Sequence, residues 1–160
     1  MFREEARMLY TVSDDGIYTA NCELYILDKR NAAMHFIVDT GASITCCRAK
    51  ELGVNLSEDD FIANKSNTRY INGVLKEKKS KKDTDEYSIL FYEVKLQKLK
   101  IGTSIILENV SVWVTFDSRF YTCLLGQDIL DQLYYLHLRN TKELLISDNV
   151  ADLKQYINSV

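Results

Sequence analysis

An acidic tripeptide at the end of an apolar run is the feature that most constrains this chain. Asp39-Thr40-Gly41 directly follows Phe36-Ile37-Val38, a run typical of a buried strand. A carboxylate at the point where such a strand stops is costly to remove from water, and it therefore needs hydrogen-bond partners. Threonine can supply a hydroxyl, and glycine lets the backbone turn sharply and approach closely. The tripeptide predicts a tight loop that presents a carboxylate at a strand end.

A second apolar strand ending in glycine lies late in the chain. Cys123-Leu124-Leu125-Gly126 is followed by the polar pair Gln127-Asp128 and by an apolar, helix-like start at Ile129-Leu130. Between the two motifs, Arg69 to Val74 forms a short run that ends in Asn72-Gly73-Val74, residues suited to a turn.

In this order, the two motifs resemble those of the retropepsin family, the retroviral-type aspartic proteases and their cellular and bacterial relatives. The family has Asp-Thr-Gly-Ala or Asp-Thr-Gly-Ser early, a hydrophobic-hydrophobic-Gly motif late, and a β-hairpin flap between them. Residues 69–74 occupy the flap position, and Lys100-Ile101-Gly102 with Leu107 to Val112 resembles the strand pair after the flap in bacterial members. The resemblance covers about residues 17 to 140.

The resemblance implies a role for each site residue. Asp39 would be the catalytic carboxylate, Thr40 would bond across a dimer to the mate's loop, and Gly41 would donate its N–H to a carboxylate oxygen. The flap would pair with the backbone of an extended peptide, while Leu125 and Gly126 would pass behind the active-site loop and support it. The implied substrate-binding set is Ala42, Tyr70, Ile71, Asn72, Gly73, Leu125 and Gly126.

Two residues after the second motif also have expected roles. Asp128 is expected to begin a helix and to satisfy backbone donors there. Gln127 stands where some retroviral members have arginine, so the ion pair of that arginine is absent.

Catalysis by this route needs a second carboxylate. One carboxylate accepts a proton from water and the other, protonated, donates one to the peptide carbonyl. The chain has one Asp-Thr-Gly, so a symmetric homodimer supplies the second Asp39 most simply. The resulting hypothesis is a homodimeric aspartic endopeptidase. Its alternatives are a peptide-binding or dimerisation module that does not cut, and a domain that cuts only itself or one partner.

Length and composition limit the number of domains, the kinds of partner and the cellular setting that we expect. The length of 160 residues predicts one domain, residues 16–160, after an N-terminal segment, residues 1–15, whose order the sequence leaves open. The net charge of −3 argues against a general affinity for nucleic acid or anionic membranes. Four cysteines without CxxC spacing, and no signal-peptide pattern, predict reduced thiols in a cytoplasmic protein. We expect no metal and no cofactor.

The expected architecture is mainly β, a small closed acid-protease (retropepsin-like) barrel with a flap hairpin, short helices and a C-terminal amphipathic helix. The expected strands are 16–27, 34–38, 61–62, 68–71, 110–115 and 143–146, and the expected helices are 48–53, 129–135 and 149–160. Residues 134–138 fit a strand equally well. The C-terminal helix either replaces the terminal strand with which retroviral enzymes dimerise or caps the barrel. The charged run Lys76 to Glu86 is a solvated, mobile loop or an extension of the flap that steers acidic substrates.

Overall fold

The computed structural model describes residues 8–12, 16–26, 31–52, 56–72 and 88–159. Gly53, Gly73, the expected tip of the flap and the charged run Lys76 to Glu86 lie outside these ranges. The described strands are β1 Met8–Val12, β2 Thr19–Ile26, β3 Asn31–Val38, β4 Cys46–Arg48, β5 Thr68–Ile71, β6 Ile89–Ile101, β7 Ile105–Thr115, β8 Leu124–Leu125, β9 Tyr134–Leu138 and β10 Glu143–Ser147. The described helices are a 3-10 helix Ala49–Leu52, α1 Glu58–Ala63, α2 Gln127–Leu130 and α3 Val150–Ser159.

The larger sheet closes on itself, which confirms the predicted mainly β barrel. Its strand order is β2-β3-β8-β4-β7-β6-β5, and β2 also pairs with β6. The ring therefore runs from β2 through β3, β8, β4, β7 and β6 back to β2. β5 lies outside the ring and pairs with β6. Closure leaves the six ring strands with partners on both sides and buries one face of each in a common core.

The strand that carries the Asp-Thr-Gly motif is one arm of a hairpin, as the sequence predicts. β2 pairs antiparallel with β3, from Thr19 opposite Ile37 to Tyr25 opposite Asn31. Alternate residues of β3 are buried, since Ala32, Met34 and Phe36 are in the core while His35 between them is exposed. The strand ends at Val38 and delivers Asp39 to the rim of the barrel.

A long hairpin, β6–β7, forms the opposite wall. Gly102 opens its turn with a φ of +64°, a conformation that glycine adopts without steric cost. Val110, Val112 and Val114 are buried, which confirms the predicted alternation along this strand. The first part of β6 pairs with β5 and its last part pairs with β2, so a single strand links the position of the flap to the barrel.

A separate three-stranded sheet, in the order β1-β10-β9, carries the C-terminal helix. The predicted helix at 149–160 is present as α3, and its Leu153 is buried. Tyr156 Oη donates to Glu143 Oε2 at 2.8 Å and Ser147 Oγ donates to Asp152 Oδ2 at 2.6 Å, so both ends of β10 are tied to the helix. These contacts place the helix on the three-stranded sheet, and its role as a barrel cap or a dimer element stays a prediction. The sequence analysis places no strand at Met8–Val12, which pairs with β10.

Two predicted elements are wrong. Phe61-Ile62 belongs to helix α1 and not to a strand, because the acidic residues 58–60 favour a helix N-terminus and Phe61 packs its ring 5.2 Å from that of Tyr92. The helix predicted at 129–135 is α2, which ends at Leu130. Residues 134–138 form β9, which confirms the strand alternative for this segment, because they pair with β10 along their whole length.

We find no helix in the described ranges that is long and apolar enough to cross a membrane.

Candidate active site

Two parallel strands end side by side at the site. β3 pairs with β8, with Ile37 opposite Leu124 and Val38 opposite Leu125. The Asp39 N–H donates to the Leu125 carbonyl at 3.0 Å, and the Ile37 N–H donates to the Cys123 carbonyl at 2.8 Å. The two sequence motifs are therefore in direct contact, although they lie far apart in the sequence.

The loop after β3 holds its carboxylate with its own backbone. The Gly41 N–H donates to Asp39 Oδ1 at 2.9 Å, the bond that the resemblance implies. The Ala42 N–H donates to the Asp39 carbonyl at 3.2 Å and closes the turn. Asp39 is half-buried, whereas Thr40 and Gly41 are exposed. The carboxylate thus has a fixed orientation and still reaches solvent.

Gly126 passes directly behind this loop. A Cβ atom on Gly126 would stand 2.3 Å from the Ile44 carbonyl oxygen and 2.9 Å from that of Ala42, so no side chain fits there. Leu125 is fully buried and Gly126 is also buried. The two residues therefore have the supporting geometry that the resemblance implies, but their burial leaves no room for direct contact with a substrate.

Thr45 and Asp128 fasten the far end of the loop. The Thr45 hydroxyl donates to Asp128 Oδ1 at 2.7 Å and accepts the Gly126 N–H at 3.0 Å. The Thr45 N–H donates to Asp128 Oδ2 at 3.1 Å. Asp128 also accepts the Ile129 N–H at 2.8 Å, so it satisfies a helix donor as expected. The helix does not begin at Asp128, however, but one residue earlier, at Gln127. Thr45 was not predicted, because nothing in the sequence pattern sets its hydroxyl apart.

Gln127 makes a contact that the sequence analysis did not anticipate. Its Nε2 donates to the Thr40 carbonyl at 2.8 Å, and its backbone N–H donates to the Ala42 carbonyl at 2.8 Å. The side chain of Gln127 is thus bonded to the Asp-Thr-Gly loop itself.

An open groove of about 400 Å³ lies over the loop. Five predicted residues line it, namely Asp39, Gly41, Ala42, Ile71 and Asn72. Six others line it as well, Ser43, Ile44, Cys46, Phe120, Thr122 and Leu124. Tyr70 is 69% exposed and does not line the groove, and neither does Thr40. Among the lining residues, Asp39 has the one carboxylate.

The base of the expected flap forms the upper wall of this groove. β5 pairs with β6, from Thr68 opposite Tyr92 to Ile71 opposite Ile89, and Ser88 Oγ donates to Asn72 Oδ1. Ile71 packs on a small apolar cluster made of Ile44, Cys46, Ile89, Phe91 and Phe120. Phe120 could not be predicted as a lining residue, because it lies in an irregular segment whose path depends on the tertiary fold.

Comparison with known proteins places this geometry in a fold family. No protein-family model matches the sequence, and no curated protein matches it as a relative. Among solved structures, the chain is similar to a retropepsin-like aspartic protease from Rickettsia conorii, with 17% identity over 87% of this chain and 89% of that chain and a TM-score of 0.51. The fold is retropepsin-like. At this identity the likeness is one of fold, so the chemistry of the site depends on the residues described above.

The cysteine in the groove is not a nucleophile within this retropepsin-like fold. Burial, followed by the nearby Asp128, Cys123 and Asp39, raises the pKa of Cys46 to about 12. The thiol is therefore protonated at neutral pH, whereas a cysteine nucleophile acts as the thiolate. All four cysteines are free.

Other parts of the described chain offer less chemistry. A groove of about 540 Å³ lies between the β9–β10 turn and α3, lined by His137, Leu138, Arg139, Asn140, Thr141, Tyr156 and Ile157. It has no carboxylate, and its His137 Nε2 is hydrogen-bonded to Tyr18 Oη at 2.9 Å. Within the described ranges, no three His, Cys, Asp or Glu side chains come together as a metal site.

Proposed function

We propose that this protein is an aspartic endopeptidase that hydrolyses peptide bonds with a water molecule activated by two Asp39 carboxylates in a homodimer. The observation that carries the proposal is the setting of Asp39 in an open groove. The carboxylate is half-buried, its Oδ1 accepts the Gly41 N–H at 2.9 Å, and the groove extends from it to Ile71 and Asn72 on the other wall. The retropepsin-like fold supports the same reaction class.

The chemistry follows from pairing two such carboxylates. Two carboxyl groups about 3 Å apart cannot both ionise, so they share one proton and titrate as a pair. The ionised member takes a proton from water, and the protonated member gives one to the carbonyl oxygen of the scissile bond. Thr40 is exposed beside Asp39, where it is free to bond to the loop of a second chain, as the resemblance implies.

The groove suits an extended peptide. Ile71 ends β5, whose partner is β6, and Asn72 follows it. A peptide lying beneath this edge can pair with the backbone as an added strand. Ile44, Phe120 and Leu124 give the groove an apolar floor for substrate side chains. The net charge of −3 argues against a nucleic-acid partner. The four free cysteines support a reducing, cytoplasmic setting.

The test is the substitution Asp39→Asn in the full chain. We expect cleavage of a peptide library to fall by at least about 10²-fold, because an amide can neither accept nor share the proton. Far-ultraviolet circular dichroism should match the wild type. Asp59→Asn is the matched control, since Asp59 is exposed on α1 and does not line the groove. Cleavage that persists in Asp39→Asn would rule out the proposal.

One observation favours a second candidate, a module that grips a peptide without cutting it. Among the described residues, each chain brings a single carboxylate to the groove, so a chain that stays monomeric would hold half of the acid–base pair. This candidate predicts binding of a pepstatin-type peptide by the wild type, with no turnover of any library peptide. Activity found only on the chain itself or on a co-expressed partner would point to the self-processing alternative.

A further inference from the structure

The first turn of α2 is joined to the Asp-Thr-Gly loop and the residues after it by hydrogen bonds at three points. The Gln127 N–H donates to the Ala42 carbonyl, Gln127 Nε2 donates to the Thr40 carbonyl, each at 2.8 Å, and Asp128 accepts from Thr45. Of these contacts, the one from Nε2 is the only one that reaches the Thr40–Gly41 peptide group. It is also a contact that a side chain, and not the backbone, makes.

That peptide group is bonded at both ends. The Thr40 carbonyl and the Gly41 N–H belong to one planar unit and point in opposite directions. The carbonyl accepts from Gln127 Nε2 at 2.8 Å, and the N–H donates to Asp39 Oδ1 at 2.9 Å. Hydrogen bonds in such a chain polarise one another, by roughly 10–30% per bond in condensed-phase estimates. A donor on the carbonyl therefore makes the N–H a stronger donor and fixes the plane in which it points.

We propose that Gln127 is a positioning residue that acts on Asp39 through the Thr40–Gly41 peptide group. Its side-chain amide orients and polarises that peptide, so that the Gly41 N–H holds and stabilises the Asp39 carboxylate. The inference deepens the proposed peptidase function and rests on it for its kinetic part, but the hydrogen bond from Gln127 to the Thr40 carbonyl exists whether or not the protein cleaves peptides. The neutral amide does this without adding a charge beside a carboxylate pair.

Other groups around the carboxylate do not take over this role. Cys46 faces the groove with a pKa of about 12, so it stays neutral. Both oxygens of Asp128 are hydrogen-bonded to Thr45. In a homodimer the partner's Asp39 is a further charged group, and it is the same in every variant below. A change in the pH–rate profile after substitution of Gln127 therefore reports on the hydrogen bonds that link Gln127 to Asp39 through the Thr40–Gly41 peptide group.

The experiment compares Gln127→Met with Gln132→Met in the full-length protein. Methionine keeps the length of glutamine but cannot donate. Gln132 is the matched control, because it lies just after the same helix, is exposed, and donates to the Asp128 carbonyl at 3.1 Å. In Gln127→Met we expect the Gly41 amide proton to resonate upfield of its wild-type position. We also expect kcat to fall about two- to tenfold with little change in KM. The acid limb of the pH–rate profile should move to higher pH. Gln132→Met should match the wild type.

Gln127→Glu separates donation from simple packing. An ionised glutamate cannot donate and repels the Thr40 carbonyl, whereas a protonated one donates again, so activity relative to the wild type should recover as pH falls through about 4.3. A Gly41 resonance that is the same in Gln127→Met and Gln132→Met overturns the inference, even in an inactive protein. If the wild type cleaves no peptide but Gln127→Met shifts the Gly41 resonance as expected, the proposed function is wrong. The inference about Gln127 is then still supported.

Discussion

At the residue scale, the site depends on how closely the backbone packs behind the carboxylate. Gly126 is held against the Ile44 and Ala42 carbonyls, and its N–H is taken up by the Thr45 hydroxyl. The sequence predicted the roles of Gly41 and Gly126, because glycine at the end of a strand motif indicates that another segment of backbone approaches closely. It could not predict Thr45 or Gln127, since the value of a hydroxyl or an amide depends on which backbone group happens to lie 3 Å away.

Alanine substitutions at the two loop glycines should therefore behave differently. In Gly126→Ala, a Cβ atom 2.3 Å from the Ile44 carbonyl oxygen meets backbone that cannot move without breaking the loop. We expect a loss of about 1–3 kcal/mol or more in the free energy of unfolding. In Gly41→Ala, the new Cβ atom stands 3.2 Å from Asp39 Oδ1, a side-chain atom that can shift. Stability should change by less than about 1 kcal/mol, while cleavage falls.

Urea unfolding of both variants, followed by a peptide-cleavage assay, is the measurement. Equal urea midpoints for Gly126→Ala and the wild type would contradict the close packing of β8 behind the loop.

At the element scale, three strands are joined at the base of the flap by one carboxylate. Glu93 on β6 accepts from Asn67, just before β5, and from Ser111 on β7, both at 2.7 Å. Beside it, the Arg69 guanidinium lies 4.9 Å from the centre of the Trp113 ring. The hydrogen bond from Ser111, then that from Asn67, lowers the pKa of Glu93. These polar bridges hold β5 in place where it lies outside the closed ring.

This lowered pKa predicts a pH-dependent contribution to stability. A carboxylate whose pKa is lower in the folded state stabilises the fold above its unfolded value of about 4.3, and the contribution is lost as pH falls through the folded value. The free energy of unfolding should therefore differ most between wild type and Glu93→Gln at neutral pH, and the difference should shrink below about pH 4. Glu108→Gln, at an exposed position of β7, is the control. A difference that grows on acidification would contradict the assigned sign.

Elements with a clear periodic pattern were predicted well, and short ones were not. β3 and β7 follow two-residue alternation or an apolar run, and α3 follows a helical period, so the sequence alone was enough for them. α1 was not predicted because Phe61-Ile62 is an apolar pair that fits a strand or a helix, and only the acidic first turn before it favours the helix. The extent of α2 was wrong because strand pairing with β10 decides the fate of residues 134–138, and that contact is tertiary.

At the scale of the whole molecule, the proposed chemistry needs more than one chain. Within the described ranges, Asp39 gives the groove its one carboxylate, and the exposed Thr40 lies beside it. α3 packs on β9 and β10 of its own chain through Leu153 and Tyr156. Its outer face, with Ile157 52% exposed, remains available, so a place for this helix at a dimer interface stays a prediction.

Mixing experiments test the shared site. Specific activity should rise with protein concentration and reach a plateau when the dimer is full, as analytical ultracentrifugation at the same concentrations would show. An excess of Asp39→Asn protein should then inhibit the wild type, because mixed dimers hold one carboxylate instead of two. Serum albumin in the same excess is the control. Undiminished activity in the mixture would mean that a single chain is sufficient.

The continuity of β6 has a consequence for how this protein could be altered. Residues 89–92 of this strand hold β5 over the groove, while residues 96–101 pair with β2 and complete the ring. A one-residue insertion in β6 would turn every following side chain to the opposite face. Along β6, laboratory redesign of the groove wall or natural divergence in substrate preference is thereby confined to substitutions.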